Sequence, residues 1–161
     1  MKVKDVMTQS AVCCSADTNV GAAVELLWVR NCGMLPVVGD DRKIRGVVTD
    51  RDISIAMGTR NRLAGELTVG EIVTKNVVTC KPEEEIHEAL RTMAERQVRR
   101  LPVVNDEGIP HGILSIDDII THGDLKRWEG CCELSSEEII RSLKKLFGQK
   151  LAVVHTKSAA A

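Results

Sequence analysis

Apolar residues recur at helical spacing twice along this chain, and each time two short β-branched runs follow. Ala11–Cys14 is a short apolar run suited to a strand. Asp17 and Thr18 then offer N-caps for a helix whose buried stripe is Val20, Ala23, Val24, Leu27 and Trp28, ending near Asn31–Gly33. Leu35–Val38 and Ile44–Thr49 read as strands, with the polar Gly39-Asp40-Asp41-Arg42 as their hairpin turn. Another helix opens around Asp50–Asp52 and runs through Ile53, Ile55, Ala56 and Met57. The order then replays. Val77–Cys80 is the strand, Pro82 suits a first helical position, and Glu83-Glu84-Glu85 complements the positive end of the helix dipole. Ile86, Ala89, Leu90 and Met93 form the stripe. Strands Leu101–Val104 and Gly112–Ser115 follow, joined at Asn105–Gly108.

The replay is a true internal repeat. A shift of 66 residues lays Val3–Ile53 over Val69–Ile119 without a gap, and 14 of the 51 pairs are identical. Leu35-Pro36-Val37-Val38 falls on Leu101-Pro102-Val103-Val104. Gly46-Val47-Val48-Thr49-Asp50-Arg51-Asp52-Ile53 falls on Gly112-Ile113-Leu114-Ser115-Ile116-Asp117-Asp118-Ile119. A hydroxyl residue with a carboxylate three places on, kept twice, points to a ligand site more than to a packing rule. The plainer alternative is that Asp52 and Asp118 are helix N-terminal residues stabilised by the dipole.

These patterns divide the chain into a first repeat at 1–58, a linker at 59–68, a second repeat at 69–123 and an extension at 124–161. In the extension, Ser135 and Glu138 form a capping box opening a helix with Ile139, Ile140, Leu143, Leu146 and Phe147 on one face. Gly148 is its expected stop. Ser158–Ala161 reads as a frayed end.

Composition narrows the function. With 43% apolar and 28% charged residues, the 161-residue chain is an ordinary globular protein. A net charge of −1 and only 2% aromatic residues give no footing for nucleic acid. No apolar run approaches a bilayer span, and Met1–Asp5 lacks a signal-peptide core, so a cytoplasmic location is expected. The six cysteines (Cys13, Cys14, Cys32, Cys80, Cys131 and Cys132) contain no Cys-x-x-Cys spacing, and His87, His111, His122 and His155 are scattered. No metal site, nucleophile–base set or Gly-x-x-x-x-Gly-Lys phosphate loop is announced, so an enzyme is not expected.

The two units, with their Leu-Pro-Val-Val strands and Gly-x-x-Thr/Ser-x-x-Asp turns, resemble the tandem cystathionine-beta-synthase (CBS) domain pair, or Bateman module, across about Val3–Gly123. The small freestanding members of prokaryotes are the most similar. The resemblance implies an α+β fold of two β-α-β-β-α repeats packed about a pseudo-twofold axis, with a C-terminal helix added. It also implies two clefts for adenosine-containing ligands, AMP, ADP or ATP, with no resident cofactor, and a regulatory, energy-sensing homodimer that signals in trans to a protein partner. Asp52 and Asp118 would hold a ribose diol, with Thr49 and Ser115 beside the ribose or first phosphate. Val12, Leu35, Pro36 and Val47, and their equivalents Val78, Leu101, Pro102 and Ile113, would clamp the adenine. Arg99 and Arg100 stand where members often place a phosphate-facing cation. Neighbours on a strand point to opposite faces, so one of the two is expected to serve, and Arg99 is preferred. The first repeat has Gly33 and Met34 there, but carries Arg51 in its turn where the second has Asp117. The clefts are therefore expected to differ. Competing readings are a module for S-adenosylmethionine or NAD, and a ligand-free structural or redox-stress protein acting through its cysteines.

Overall fold

The computed structural model describes residues 1–123 and 136–158, with side chains placed for 1–122 and 137–148. Cys131, Cys132, the Ser135 half of the expected capping box and the 159–161 tail lie outside them. Two short 3-10 turns (Val3–Asp5 and Ala64–Glu66) accompany strands β1 (Thr8–Gln9), β2 (Met34–Val38), β3 (Ile44–Thr49), β4 (Arg100–Val104) and β5 (Pro110–Ser115). The helices are α1 (Val20–Val29), α2 (Asp50–Arg60), α3 (Val69–Ile72), α4 (Ile86–Arg96), α5 (Ile116–Gly123) and α6 (Ser136–Ser158). The fold is α+β, with one sheet ordered β1-β5-β4 and another made of β2 and β3.

The chain folds as two compact units whose boundaries cut across the repeats. One unit gathers Met1–Thr8, Cys80–Val103 and the chain from Ile113 onward. The other gathers Gln9–Thr79 and Val104–Gly112. Each repeat thus lends its opening segment to the core of the other repeat, and the hydrogen bonds that do this are matched pair for pair. The amide of Val3 donates to the Glu84 carbonyl at 2.9 Å, and that of Val69 to Thr18 at 2.8 Å. Lys4 donates to Pro82 at 3.0 Å and Gly70 to Ala16 at 2.8 Å. Ile86 donates to Met1 at 3.0 Å and Val20 to Leu67 at 2.8 Å. All six bonds join positions that coincide under the 66-residue shift.

This borrowed pairing corrects two sequence expectations. The first helix starts at Val20, with Asn19 as its N-cap accepting from Ala22 N, and not at Asp17-Thr18. Those residues form a turn, in which Thr18 Oγ1 accepts from Ser15 N at 3.1 Å. Likewise α4 begins at Ile86, and Pro82 lies before it with its carbonyl taken by Lys4. A non-local strand-like contact holds each pre-helical segment out of the helix, and local propensity does not register it.

In the Gln9–Thr79 unit, β2 and β3 pair antiparallel with Met34 opposite Thr49, Leu35 opposite Val48 and Pro36 opposite Val47. An irregularity between Val37 and Val38 leads into the turn, where Arg42 takes a left-handed conformation at φ 63°. The expected strand Ala11–Cys14 contracts to one residue. Cys14 donates to the Pro36 carbonyl and accepts from Val38 N, closing a single parallel bridge. Cys80 makes the equivalent bridge to Val103 in the other unit, in place of the expected strand Val77–Cys80. The core here is Val20, Ala23 and Leu27 of α1, Leu35, Val37 and Val48 of the sheet, Ile53, and the incoming Leu67 and Val69. Gly46 is required where Val73 and Thr74 cross β3: a Cβ would collide with the Val73 side chain and sit 3.0 Å from the Thr74 carbonyl.

In the unit containing Cys80–Val103, α4 buries Ile86, Ala89, Leu90 and Met93 with Leu101, Val103, Leu114 and Ile119. Helix α6 packs on α4 and buries Leu146. Gly148 does not stop α6. It lacks the positive φ of a left-handed C-terminal glycine, and the helix continues to Ser158. Within the expected linker, α2 extends to Arg60 and the 3-10 turn Ala64–Glu66 follows.

Candidate nucleotide-binding site

The hydroxyl-x-x-Asp spacing builds the same device in both repeats, a capping box. Thr49 is the N-cap of α2. Its Oγ1 accepts from Asp52 N at 3.2 Å, while Asp52 Oδ2 accepts from Thr49 N at 2.9 Å and from Thr49 Oγ1 at 2.7 Å. Ser115 and Asp118 repeat this at 3.1, 2.8 and 2.6 Å. The paired hydroxyl, taken from sequence as a pointer to a ligand, thus has a local structural cause. In both boxes Oδ2 carries the internal bonds, and Oδ1 lies outside them. The second Oδ1 is met by the Thr8 hydroxyl at 3.4 Å.

Around Asp52 the chain forms an open groove of about 170 Å³, lined by Asp52, Ile55, Ala56, Thr59, Arg60 and Ile72. All six belong to the Gln9–Thr79 unit. Five of them repeat at three- and four-residue steps along α2 and so share one helical face. Arg60 is steadied at the far end, where its Nη2 donates to the Glu71 carbonyl at 2.8 Å and its Nη1 lies 3.8 Å from Glu71 Oε1. A carboxylate, a guanidinium and apolar walls thus occur together on one short surface. Sequence reasoning missed Arg60 and Thr59, though the helical step from Asp52 would have found them. At the positions matching Ile55 and Ala56, α5 carries Thr121 and His122, and His122 Nδ1 lies 2.8 Å from the Asp118 carbonyl oxygen.

The remaining expected site residues fall into distinct settings. Leu35 and Leu101 are wholly buried in the core, so their side chains pack and do not line a surface. The carbonyls of Pro36 and Pro102 are taken by the amides of Cys14 and Cys80. Val47 exchanges both backbone bonds with Thr74, leaving its half-buried side chain as its free part. Val12, Val78 and Ile113 are also half-buried. Arg51 is exposed, its amide donating to Asp50 Oδ1. Arg99 is exposed at the mouth of β4, with its guanidinium 6.0 Å from the Phe147 ring centroid of α6, and Arg100 is half-buried.

Burial pushes the Cys14 thiol up to about 11 and that of Cys80 up to about 12, and it raises Cys13 as well. Thiols kept protonated are weak nucleophiles and weak metal ligands, which speaks against the cysteine-driven reading for these positions. Among the described residues, no group of three or more His, Cys, Asp or Glu could hold a metal ion. Nor is any described helix long and apolar enough to cross a membrane.

A family profile described as the CBS domain matches residues 3–58 and again 69–124. The chain belongs to the CBS domain family and carries two copies in tandem. A crystal structure of a CBS domain pair in complex with 5′-methylthioadenosine and S-adenosyl-L-methionine is similar at 26% identity and a TM-score of 0.69, over 75% of this chain and 94% of that one. A crystal structure of CBSX2 in complex with AMP is similar at 28% identity and a TM-score of 0.64, over 74% and 93%. The homoserine O-acetyltransferase of Methanosalsum zhilinae is 33% identical over 117 residues, which are 73% of this chain and 23% of that protein. The chain therefore spans about a quarter of that enzyme.

Proposed function

We propose that this CBS pair is a non-catalytic regulatory module that binds an adenosine phosphate, AMP, ADP or ATP, and passes the signal to a protein partner in trans. The observation that carries the reading is the groove on α2, where Asp52 and Arg60 stand on one helical face. A carboxylate accepts both hydroxyl protons of a ribose diol, and a guanidinium suits a phosphate. Ile55, Ala56 and Ile72 give the apolar remainder of such a ligand somewhere to rest. The adenosine-containing ligands of the two similar structures support the same chemical class. A bound nucleotide would act by favouring one of two states of the module, which requires unequal affinity for them.

Calorimetry with AMP, ATP, S-adenosylmethionine and NAD tests this. The adenosine phosphates are expected to bind, and Asp52→Ala to weaken them by about 1–3 kcal/mol, the usual loss for a charge-assisted hydrogen-bonding partner. Silence from every ligand at millimolar concentration would sink the reading. Preference for S-adenosylmethionine over any phosphate would replace the ligand class.

A further inference from the structure

The far end of the α2 groove holds more charge than its lining shows. Arg60 closes α2, Asn61 turns the chain through a left-handed conformation at φ 49°, and Arg62 follows. Both arginines converge on Glu71 of α3. Arg60 Nη2 donates to the Glu71 carbonyl at 2.8 Å, and Arg62 Nη1 donates to Glu71 Oε1 at 2.7 Å. Arg60 Nη1 stands 3.8 Å from that same carboxylate oxygen. Arg62 Nη2 is held by the Glu66 carbonyl.

Helix capping accounts for only half of this arrangement. Glu71 Oε2 accepts from Thr68 N at 2.9 Å and from Thr68 Oγ1 at 3.3 Å, the bonds of a capping acid. Asp5, which matches Glu71 under the repeat, accepts from Lys2 N at 2.9 Å in the same way. Beyond that shared duty, Glu71 presents Oε1 to two guanidinium groups. The distances show how one carboxylate divides itself: Arg62 is paired and Arg60 is only approached. The Thr68 amide and Arg62 hold the Glu71 carboxyl below the usual carboxylate range, so it is anionic at neutral pH. Eight residues separate Arg60 from Asp52, about 12 Å along the helix axis, so this end meets the phosphate tail of a ligand whose ribose rests on Asp52.

We propose that Glu71 is a specificity-determining residue of the groove, which occupies Arg62 and leaves Arg60 as the cation offered to the ligand at that end, so that the module favours a lower phosphate charge than its two arginines could hold. This deepens the adenosine-phosphate reading and rests on it for the ligand, while the charge relation rests on the geometry of α2 and α3. An arginine released from Glu71 attracts each added phosphate charge, so a polyphosphate gains more than a monophosphate. The site reaches solvent, so the effect is graded and weakens with salt.

The test is calorimetry on the full chain with AMP, ATP and inorganic tripolyphosphate, for wild type, Glu71→Gln, Arg62→Gln and the double variant. Gln at position 71 still serves as a capping residue, so that substitution removes the charge and keeps the turn. Glu71→Gln should tighten ATP and tripolyphosphate about three- to tenfold and AMP about twofold or less, with both gains shrinking in salt. Arg62→Gln, which leaves Glu71 to draw in Arg60, should weaken ATP by a similar factor, and the double variant should return close to wild type. A merely structural joint would weaken binding in both single variants. If Glu71→Gln loses its circular dichroism, Arg62→Gln decides alone, by weakening ATP more than AMP. ATP bound by the wild type but moved in the same direction, or not at all, by the two single variants would overturn the proposal and leave the adenosine-phosphate reading standing. Opposite responses to tripolyphosphate, with no adenosine ligand bound, would uphold the role of Glu71 and remove the nucleotide reading. Silence from all three ligands would overturn both.

Discussion

The two units close around their borrowed opening segments by the same backbone bonds, but they reinforce them differently. Around Met1–Thr8, Lys2 Nζ and Lys4 Nζ both pair with Glu83, at 2.7 and 2.8 Å, and α6 adds a helix to α4. Around Val69–Ile72 the matching positions are Thr68, Gly70 and Asp17, which supply no such ion pairs, and the outer face of α1, at Val24, Trp28 and Val29, is exposed. The conserved part of the duplication is therefore backbone geometry and core. What has diverged is the surface, where α6 covers α4 in one unit and the other keeps its groove and its apolar helix. Duplication preserves the scaffold and leaves side chains free to divide the work.

The comparison can be broken most sharply in the cores. Leu35 and Leu101 occupy equivalent, wholly buried positions. Truncating either to Ala is expected to cost about 2–5 kcal/mol in urea unfolding, since each leaves a cavity in a packed interior. A large loss at Leu101 with almost none at Leu35 would mean the units are not energetically alike even at their centres.

Ligand binding should separate the units next. Asp118 has Thr8 on its second oxygen and the anionic Asp117 nearby, whereas Asp52 has Arg60 on its face and Arg51 in its turn. A carboxylate repels polyphosphate and a guanidinium attracts it, so Asp52→Ala should cost ATP about 1–3 kcal/mol and Asp118→Ala clearly less. Titrating ATP and AMP against each variant decides this. Equal losses at the two positions would refute the asymmetry.

The smallest effect is the ion-pair clasp around Met1–Thr8. Hydrogen bonds and charge from Lys2 and Lys4 pull the Glu83 carboxyl down to about 2. A carboxyl depressed in the folded state stabilises it above the unfolded value near 4.3, and that contribution fades as pH falls from about 4 towards 2. All three side chains are in water, so the contribution is modest and salt-sensitive. Glu83→Gln should flatten the acid limb of the melting temperature against pH, and added salt should flatten the wild type in the same way. If the two proteins give superimposable pH profiles at low salt, the clasp is ornamental.

Much of this molecule could be read from its residues because the signals were local. The β2–β3 hairpin, the stripe Ile86–Met93 and the start of α2 at Asp50 rest on spacing and turn chemistry within a few positions. The misses share one cause, pairing between residues far apart in sequence. Cys14 and Cys80 keep only one bridge each from an expected strand, and Asn19 displaces Thr18 as cap because Leu67 holds Val20 from outside the repeat. Of the site, the Thr49–Asp52 and Ser115–Asp118 pairings were legible, and in both repeats the pair closes a capping box. A capping box and a ligand-binding turn use the same two residue types at the same spacing. Arg60 escaped notice because it lies two helical turns from the motif.

The exchanged openings also set a timetable. Val3 and Lys4 are made well before their partners Pro82 and Glu84, which emerge only after the whole first repeat. The first repeat in turn waits for Leu67, Val69 and Gly70 before Ala16, Thr18 and Val20 are satisfied. During synthesis neither repeat can mature alone, and the leading segment must remain unpaired until the second repeat begins to appear. Nascent chains arrested just before Thr68 should be cut readily by protease between Ser15 and Val20, and chains extended past Ile72 should resist it there. The duplicated gene thus yields a protein that is finished only as a pair.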